Sequence, residues 1–267
     1  MKIIGEKING TRKRVAQAIA ERDAEFIKDL AQKQAAAGST WLDVNAGTTP
    51  DREADDLIWL IESIQSVVET PLSLDSANPL ALATAIKAVN KTPMINSISG
   101  EPDRLRDILP LVAEYGCPVI ALSMDEKKIP ETSQKRFEVV SGILKETRAH
   151  GVPDSNIYID PLAMTISTNT NSALIAFETM RLVHEAYPEA HLTIGLSNIS
   201  FGLPGRSYVN RTFLALAIQA GLDSAILDPL DREIQAMILA TELVLGRDAY
   251  CMKFIRASRK GLFDKPE

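Results

Sequence analysis

Acidic and amide side chains stand at the ends of a series of short apolar runs in this sequence. Seven of eight such runs end in Asp, Asn or Glu, and the residues concerned are Glu6, Asn9, Asp43, Asp75, Asn96, Asp160, Asn198 and Asp228. A single residue of this kind usually caps the next helix or stabilises a turn, and Asp43 and Asp228 can each be explained in that way alone. Seven equivalent positions together predict a shared pocket with many hydrogen-bonding groups.

The composition of this pocket indicates the class of ligand. Carboxylates accept hydrogen bonds from paired N–H donors, whereas an Asn amide supplies one donor side and one acceptor side. A ring with alternating N–H, NH2 and carbonyl groups matches that set, and a pterin is such a ring. We therefore predict a pterin-like ligand.

Other chemistries stay open or are disfavoured. A carboxylate metal site built from Asp43, Asp75 and Asp160 remains an alternative, and so does a glycosidase pair of carboxylates, although two Trp and five Tyr are few for stacking a sugar. A zinc site and a Ser-His-Asp triad are disfavoured because the histidines and cysteines fall away from the ends of the runs. These residues are His150, His184, His191, Cys117 and Cys251.

The apolar runs are short and nearly continuous, which is typical of strands buried on both faces of a parallel sheet. The predicted strands are Lys2–Ile8, Thr40–Val44, Pro71–Leu74, Pro93–Asn96, Pro118–Met124, Ile157–Ile159, Leu192–Leu196 and Ser224–Leu227. Helical spacing of apolar residues lies between them, as in Ala54–Val68 and Leu174–Ala186, and Asn78 before Pro79 predicts a helix start.

Eight strand–helix units in 267 residues give about 33 residues per unit, which fits a (β/α)8 TIM barrel of the α/β class. We expect a single domain over 1–267. A doubly wound open sheet is the alternative, and it is disfavoured because no Gly-x-Gly-x-x-Gly follows the first strand. In a barrel, the active site lies at the carboxyl ends of the strands, where the polar residues stand.

Composition and charge limit the remaining classes of function. The chain has 35 acidic and 29 basic residues, so nothing indicates a nucleic-acid interface, and the Arg12-Lys13-Arg14 run is best explained as a solvated helix start. Two cysteines are too few for a disulfide framework. With no signal peptide and no transmembrane run recognised, we expect a cytoplasmic protein that does not bind membranes.

The ordered series of strand-end motifs resembles the methyltetrahydrofolate:corrinoid methyltransferases, a family within the pterin-binding barrel superfamily. The matching segments are Ile3–Gly10, Leu42–Gly47, Leu74–Ser76, Met94–Ser97, Tyr158–Pro161, Gly195–Asn198 and Asn210–Phe213. The resemblance implies a methyltransferase that moves a methyl group between N5 of tetrahydrofolate and the cobalt of a corrinoid. It also implies a homodimer and a separate corrinoid protein as partner. No Asp-x-His-x-x-Gly motif for cobalamin occurs in the chain, which agrees with a corrinoid carried by the partner.

The resemblance also implies roles for individual residues. Asp75, Asn96 and Asp160 would hydrogen-bond the pterin ring. Asn198 would lie near N5 as the catalytic hydrogen-bond donor, and Arg206 would lie near the glutamate tail of folate or at the pocket rim. The other candidate folate-binding residues are Glu6, Asn9, Asp43 and Ser200. No metal ligand is expected.

One position departs from the family pattern. Members that serve the corrinoid iron–sulfur protein tend to carry Gln three residues after the Asn, whereas this chain has Phe201. The partner can therefore instead be the corrinoid protein of a demethylase system. The alternative functions are a non-catalytic folate-binding barrel and a dihydropteroate synthase-like enzyme. The latter is disfavoured because Asn9-Gly10-Thr11 is followed by Arg12 and Lys13, where that enzyme's Asn-x-Thr-Pro-Asp-Ser signature has Pro and Asp.

Overall fold

The chain forms an eight-stranded parallel barrel in the computed structural model, which describes residues 1–126 and 128–264. The strands are β1 (Lys2–Asn9), β2 (Trp41–Asn45), β3 (Leu72–Asp75), β4 (Met94–Ser99), β5 (Val119–Leu122), β6 (Ile157–Asp160), β7 (His191–Leu192) and β8 (Ser224–Leu227). Hydrogen-bonded neighbours follow the order β7-β6-β5-β4-β3-β2-β1-β8, and every pair is parallel. The predicted (β/α)8 architecture is confirmed. Of the predicted domain 1–267, Lys127 and 265–267 lie outside the described residues.

Helices cover the outside of the barrel. Within the described residues they are α1 (Lys13–Glu21), α2 (Ala24–Ala36), α3 (Pro50–Gln65), α4 (Pro79–Ala85), α5 (Pro102–Tyr115), α6 (Ser133–Ala149), α7 (Ser172–Ala186), α8 (Arg206–Gln219), α9 (Arg232–Val244) and α10 (Met252–Arg259). The predicted start at Asn78 is confirmed, because its side chain accepts hydrogen bonds from the backbone N–H groups of Leu80 and Ala81. None of these helices has the length and apolarity needed to cross a membrane.

The barrel closes between its shortest strand, β7, and β8. The sequence predicted β7 over Leu192–Leu196, but the regular strand is His191–Leu192 and a 3₁₀ helix, Leu196–Ser200, follows. The seam is completed by a single parallel bridge between Gly195 and Ile226, and the Ile226 N–H donates to the Ile194 carbonyl over 2.9 Å. The chain turns early because the Asn198 N–H bonds back to the Gly195 carbonyl, which winds it out of the sheet.

The alternation of side chains along each strand divides the barrel interior into layers. Ile4, Met94, Ile120 and Tyr158 form a buried cluster inside the barrel, and Trp41 packs against Tyr158 edge to face. Side chains of parallel strands repeat on one face every second residue. The inward positions two residues beyond this apolar layer are therefore Glu6, Asp43, Asn96, Leu122 and Asp160. The fold thus points most of the predicted strand-end residues into the mouth of the barrel.

Two glycines let the ends of β1 and β2 touch backbone to backbone. A Cβ on Gly10 would lie 1.9 Å from the Ala46 carbonyl oxygen, and a Cβ on Gly47 would lie 2.8 Å from the Gly10 carbonyl carbon. The Gly10 N–H donates to the Asn45 carbonyl over 2.8 Å. This contact fixes the spacing of the strand ends at Asn9 and Asn45.

We expect Gly10→Ala to lower the free energy of unfolding by about 1–3 kcal/mol or more, because the added methyl group meets backbone atoms that have no free space to move into. Gly142→Ala is the matched control: it lies within α6 with no atom within 4 Å of the added Cβ, and alanine favours helix over glycine by about 0.5–1 kcal/mol. Urea unfolding of both variants measures the difference. Equal stability of the two variants would contradict the close contact at Gly10.

Candidate functional site

A cavity of about 780 Å³ opens at the carboxyl ends of the strands. Its lining includes Glu6, Asn9, Thr11, Arg12, Asp43, Asp75, Asn96, Gly195, Leu196, Ser197, Asn198, Arg206, Ser207, Asn210, Ile226, Asp228, Asp231 and Ile234. Seven of the nine predicted site residues are in this lining; the two outside it are Asp160 and Ser200. The structure therefore brings together residues that are up to about 200 positions apart in the chain.

Neighbouring strands hold two carboxylates side by side on one wall of the cavity. Asp43 pairs in register with Ser73, and its Oδ1 accepts hydrogen bonds from Ser73 Oγ over 2.8 Å and from Asn96 Nδ2 over 3.2 Å. Asp75 pairs in register with Asn96, and its Oδ2 accepts from Asn45 Nδ2 over 3.0 Å. Asp75 is thus oriented by an amide on the adjacent strand β2, and Asp43 by an amide on β4, two strands away.

Burial changes the acid–base behaviour of this wall. The pKa of Asp43 is raised well above its ordinary value, first because burial disfavours the charged form and then because the Asp75 carboxylate lies nearby. Burial also raises the pKa of Asp75, while the hydrogen bond from Asn45 opposes that shift. Burial likewise raises the pKa of Glu6, and its ion pair with Arg12 lowers it in part. Burial thus favours the protonated form of these carboxyl groups, which can donate a hydrogen bond as well as accept one.

Asp160 lies below the cavity surface, at the carboxyl end of β6. It is 6% exposed, and its Oδ1 accepts a hydrogen bond from the Leu162 N–H over 2.7 Å. Burial raises the pKa of Asp160 to about 6. Leu162 has a positive φ of 59°, a conformation that costs a non-glycine residue about 1–2 kcal/mol, and buried Arg136 donates to the Pro161 and Leu162 carbonyls. The segment after β6 is thus held in a shape that keeps Asp160 in place.

The 3₁₀ helix after β7 presents Asn198 to the cavity. A Cβ on Gly195 would lie 3.0 Å from Asn198 Nδ2, so the absence of a side chain at Gly195 lets the amide fold back over the strand end. Ser200 is fully buried, and its hydroxyl accepts a hydrogen bond from Arg206 Nε over 3.0 Å. Arg206 Nη2 also donates to the Ser197 carbonyl over 2.7 Å. The structure places Ser200 behind Arg206, where it orients the guanidinium.

Ion pairs line the neighbouring part of the mouth, at the end of β1, which pairs with β2, and directly after β8. Arg12 Nη2 lies 2.8 Å from Glu6 Oε1, and Lys7 Nζ lies 2.7 Å from Asp228 Oδ2. Asn9 Oδ1 accepts from the Thr11 backbone N–H over 3.0 Å, so this amide shapes the turn after β1. The surface here carries both charges, in contrast to the acidic wall formed by β2 and β3.

Several residues that hold the site were missed by sequence reasoning. Arg136 binds backbone carbonyls after β6, and Arg104 donates to the Ser76 carbonyl over 3.3 Å and to the Ser97 carbonyl, tying the loops after β3 and β4 together. The sequence predicts Arg12 to be part of a solvated helix start, whereas in the structure it lines the cavity and forms an ion pair with Glu6. Arginines that bind main-chain oxygens leave no motif in the sequence, because every residue type supplies the same carbonyl.

The arrangement suits a planar polar ligand more than a metal ion. Across residues 1–126 and 128–264, no group of three or more His, Cys, Asp or Glu side chains is placed to hold a metal ion. Asp43 and Asp75 are instead each hydrogen-bonded to an Asn amide, and Asp43, Asp75 and Asn96 line the cavity. A flat ring with several N–H groups would satisfy them.

Comparison with known proteins agrees with this reading. The family described as pterin binding enzyme matches residues 5–228. The chain is 40% identical over 263 residues to the methylcorrinoid:tetrahydrofolate methyltransferase of Eubacterium limosum, covering 98% of this chain and 97% of that protein. It is 31% identical over 237 residues to the methionine synthase of Mycobacterium tuberculosis (84% of this chain), of which it spans only 20%.

Solved structures share the fold at lower identity. Dihydropteroate synthase of Xanthomonas albilineans with 4-aminobenzoic acid has a TM-score of 0.71 at 18% identity, over 93% of both chains. The same enzyme with 7,8-dihydropteroate has a TM-score of 0.68 at 20% identity, again over 93% of both chains. These likenesses concern the architecture alone.

We expect Asp43→Asn to raise the free energy of unfolding by about 1–3 kcal/mol near pH 8.5 and to change it little near pH 5. A carboxyl whose pKa is higher in the folded than in the unfolded state favours folding while it is protonated, and this stabilisation is lost as the pH rises through the folded pKa. The Asn side chain keeps an oxygen for Ser73 and Asn96 but never ionises.

Urea titrations at both pH values measure this effect, and exposed Asp103→Asn is the control. An equal change at the two pH values would show that Asp43 does not carry the raised pKa.

Proposed function

Because the chain belongs to the pterin-binding enzyme family, we propose that it is a methyltransferase that moves a methyl group between N5 of tetrahydrofolate and the cobalt of a corrinoid carried by another protein. The near full-length likeness to the Eubacterium limosum methyltransferase carries this proposal. The cavity supports it, since its polar groups match the hydrogen-bonding edge of a pterin.

Three side chains are proposed to hold the ring. Asp75 and Asp160 accept hydrogen bonds from the amino and N–H groups of the pterin, and Asn96 meets a carbonyl or ring nitrogen. Asn45 and the backbone N–H of Leu162 already orient the two carboxylates. Because these partners are in place before the ligand arrives, little side-chain entropy is lost on binding.

The rest of the lining is proposed to receive the remainder of folate. Arg206 offers its guanidinium at the rim on the side of β7, near the position proposed for the glutamate tail. Glu6, Asn9 and Asp43 complete the polar wall. Ser200 contributes through Arg206, whose Nε it holds.

We propose that the methyl group moves from the corrinoid to tetrahydrofolate, the direction named for the Eubacterium limosum protein. The N5 lone pair attacks the methyl carbon, the carbon–cobalt bond breaks, cobalt keeps the electron pair as cobalt(I), and N5 releases its proton to water. N5 must be unprotonated to attack, and the Asn198 amide is proposed to orient it. In the reverse direction the same amide would stabilise N5 as it becomes the leaving group.

The corrinoid is proposed to arrive on a partner protein at the open mouth of the barrel. The cavity is lined by loops on several sides but is open outward, which leaves room for a second protein to cover it. That protein is either a corrinoid iron–sulfur protein or the corrinoid protein of a demethylase system. Methyl transfer measured with each of them as the methyl donor identifies which one is the partner.

We also propose a homodimer, formed through the groove between α7 and α8. The groove has a volume of about 340 Å³ and is lined largely by apolar side chains, among them Phe177, Phe213 and Leu216. Leu216 is 50% exposed and Leu174 is 63% exposed.

Leu216→Glu should shift sedimentation from dimer to monomer, whereas Leu80→Glu, on α4, should not. A monomeric wild-type protein would refute the dimer.

The function is tested by mixing the protein with methylcobalamin and tetrahydrofolate without oxygen. Loss of the methylcobalamin absorbance together with formation of 5-methyltetrahydrofolate supports the proposal. Tetrahydrofolate binding without transfer, also when purified corrinoid proteins are supplied, would favour a non-catalytic folate-binding barrel. Formation of dihydropteroate from 4-aminobenzoate and a dihydropterin diphosphate would identify a synthase instead.

We expect Asn198→Ala to lower kcat for methyl transfer by about 10²–10³-fold while tetrahydrofolate affinity stays nearly unchanged, because the amide acts mainly in the transition state. Asp160→Ala should instead weaken tetrahydrofolate binding by about 1–3 kcal/mol, since pterin donors lose a buried partner. Calorimetry and steady-state kinetics separate the two effects. Equal losses of affinity and rate in Asn198→Ala would remove that residue from the reacting centre.

A further inference from the structure

Two apolar side chains stand exposed at the mouth of the barrel beside the cavity. Phe201, directly after the 3₁₀ helix that follows β7, is 68% exposed, and Met164, in the loop after β6, is 39% exposed. Neither side chain is part of the cavity lining. We call this pair the ledge.

The backbone under the ledge is fixed by hydrogen bonds between the two loops. The Phe201 carbonyl accepts from Thr165 Oγ1 over 2.6 Å and from Ser167 Oγ over 3.1 Å. The Ile166 N–H donates to the Ile199 carbonyl over 3.0 Å. Two loops that would each move alone are thereby tied into one surface.

The chain on either side of Phe201 is constrained as well. The Phe201 N–H donates to the Asn198 carbonyl over 3.2 Å, so the ring belongs to the same turn as the proposed catalytic amide. Gly202 has a φ of 79°, and the Leu203 N–H bonds back to the Ser200 carbonyl. The Arg206 guanidinium carbon lies 6.0 Å from the centre of the Phe201 ring, within range of a cation–π contact.

An exposed aromatic ring on a well-held backbone is suited to be an anchor for a partner. Aromatic side chains dominate many interfaces, and a backbone that is already ordered lowers the entropy lost on binding. The hydrogen bonds of Thr165 and Ser167 hold the Phe201 carbonyl in this way. Single exposed apolar residues are common on protein surfaces, but the backbone of this one is bonded to that of Asn198.

The reaction restricts what can cover the ledge. Cobalt must approach N5 in line with the transferred methyl group, and a corrin is a broad, flat macrocycle centred on that cobalt, with an apolar face and amide groups around its edge. Its face must therefore pass over residues that lie one helical turn from Asn198 on the outer side. Folate occupies the cavity, which Phe201 does not line.

We infer that Phe201, supported by Met164, is the contact surface for the corrin macrocycle and sets how well the corrinoid is positioned over N5. The inference rests on the proposed methyl transfer. It assigns to Phe201 a part in binding the corrinoid, and none in binding folate.

The test uses methylcobalamin itself as the probe, with tetrahydrofolate saturating. Phe201→Ala should lower kcat/KM for methylcobalamin by about 5–30-fold, the range for an aromatic anchor at an interface, through a higher KM. Phe201→Trp should restore most of the loss, because it keeps a flat apolar face. Tetrahydrofolate affinity, by calorimetry, and the unfolding midpoint should stay at wild-type values.

Leu80→Ala is the matched control, since Leu80 is 77% exposed and lies at the start of α4, after β3, rather than beside Asn198. It should leave kcat/KM for methylcobalamin unchanged. Unchanged kinetics of Phe201→Ala would overturn the inference while leaving the function intact.

Two further results would also overturn it. Weaker tetrahydrofolate binding in Phe201→Ala would assign the ring to folate, and dissociation of a dimer would assign it to the contact between copies. Absence of methyl transfer in the wild-type protein would instead refute the proposed function, and the inference with it.

Discussion

Strand register is the constraint on which this site depends. Asp43 lies opposite Ser73, and Asp75 lies opposite Asn96, because β2, β3 and β4 pair without a shift at these positions. A slip of one residue would turn each carboxylate to the opposite face of the sheet, among the apolar side chains beneath the helices. The same register brings the Asn96 amide to Asp43 and the Asn45 amide to Asp75. The strand pairing that buries the two carboxyl groups therefore also supplies the hydrogen bonds that orient them.

Burying two neighbouring carboxylates opposes folding, and the surrounding structure offsets that cost. Ser73 and Asn96 donate to Asp43, Asn45 donates to Asp75, and the partly buried Arg104 places a positive charge near Asp75. These hydrogen bonds and the nearby positive charge allow the acidic wall to stand on an apolar barrel interior. The side of the wall that lines the cavity is available for hydrogen bonding to a ligand.

Much of this arrangement follows from the sequence, for physical reasons that differ between residues. Period-two alternation on buried strands places Asp43, Asn96 and Asp160 at the inward strand ends, so their convergence is predictable once the strands are recognised. Ser200 is one of the predicted folate contacts, and the structure shows that the 3₁₀ turn buries it, with its hydroxyl bound to Arg206. Arg136 was not predictable, since its carbonyl partners become neighbours only through tertiary packing.

The short seam between β7 and β8 has a mechanical consequence for the mouth. With β7 only two residues long and one bridge completing the circle, fewer backbone hydrogen bonds must break to open the barrel here than between β1 and β2. Amide protons of residues near 192–195 should thus exchange with solvent through smaller openings than those of β1. The loop that carries Asn198 begins at this seam, so the proposed catalytic amide lies where a single bridge closes the barrel.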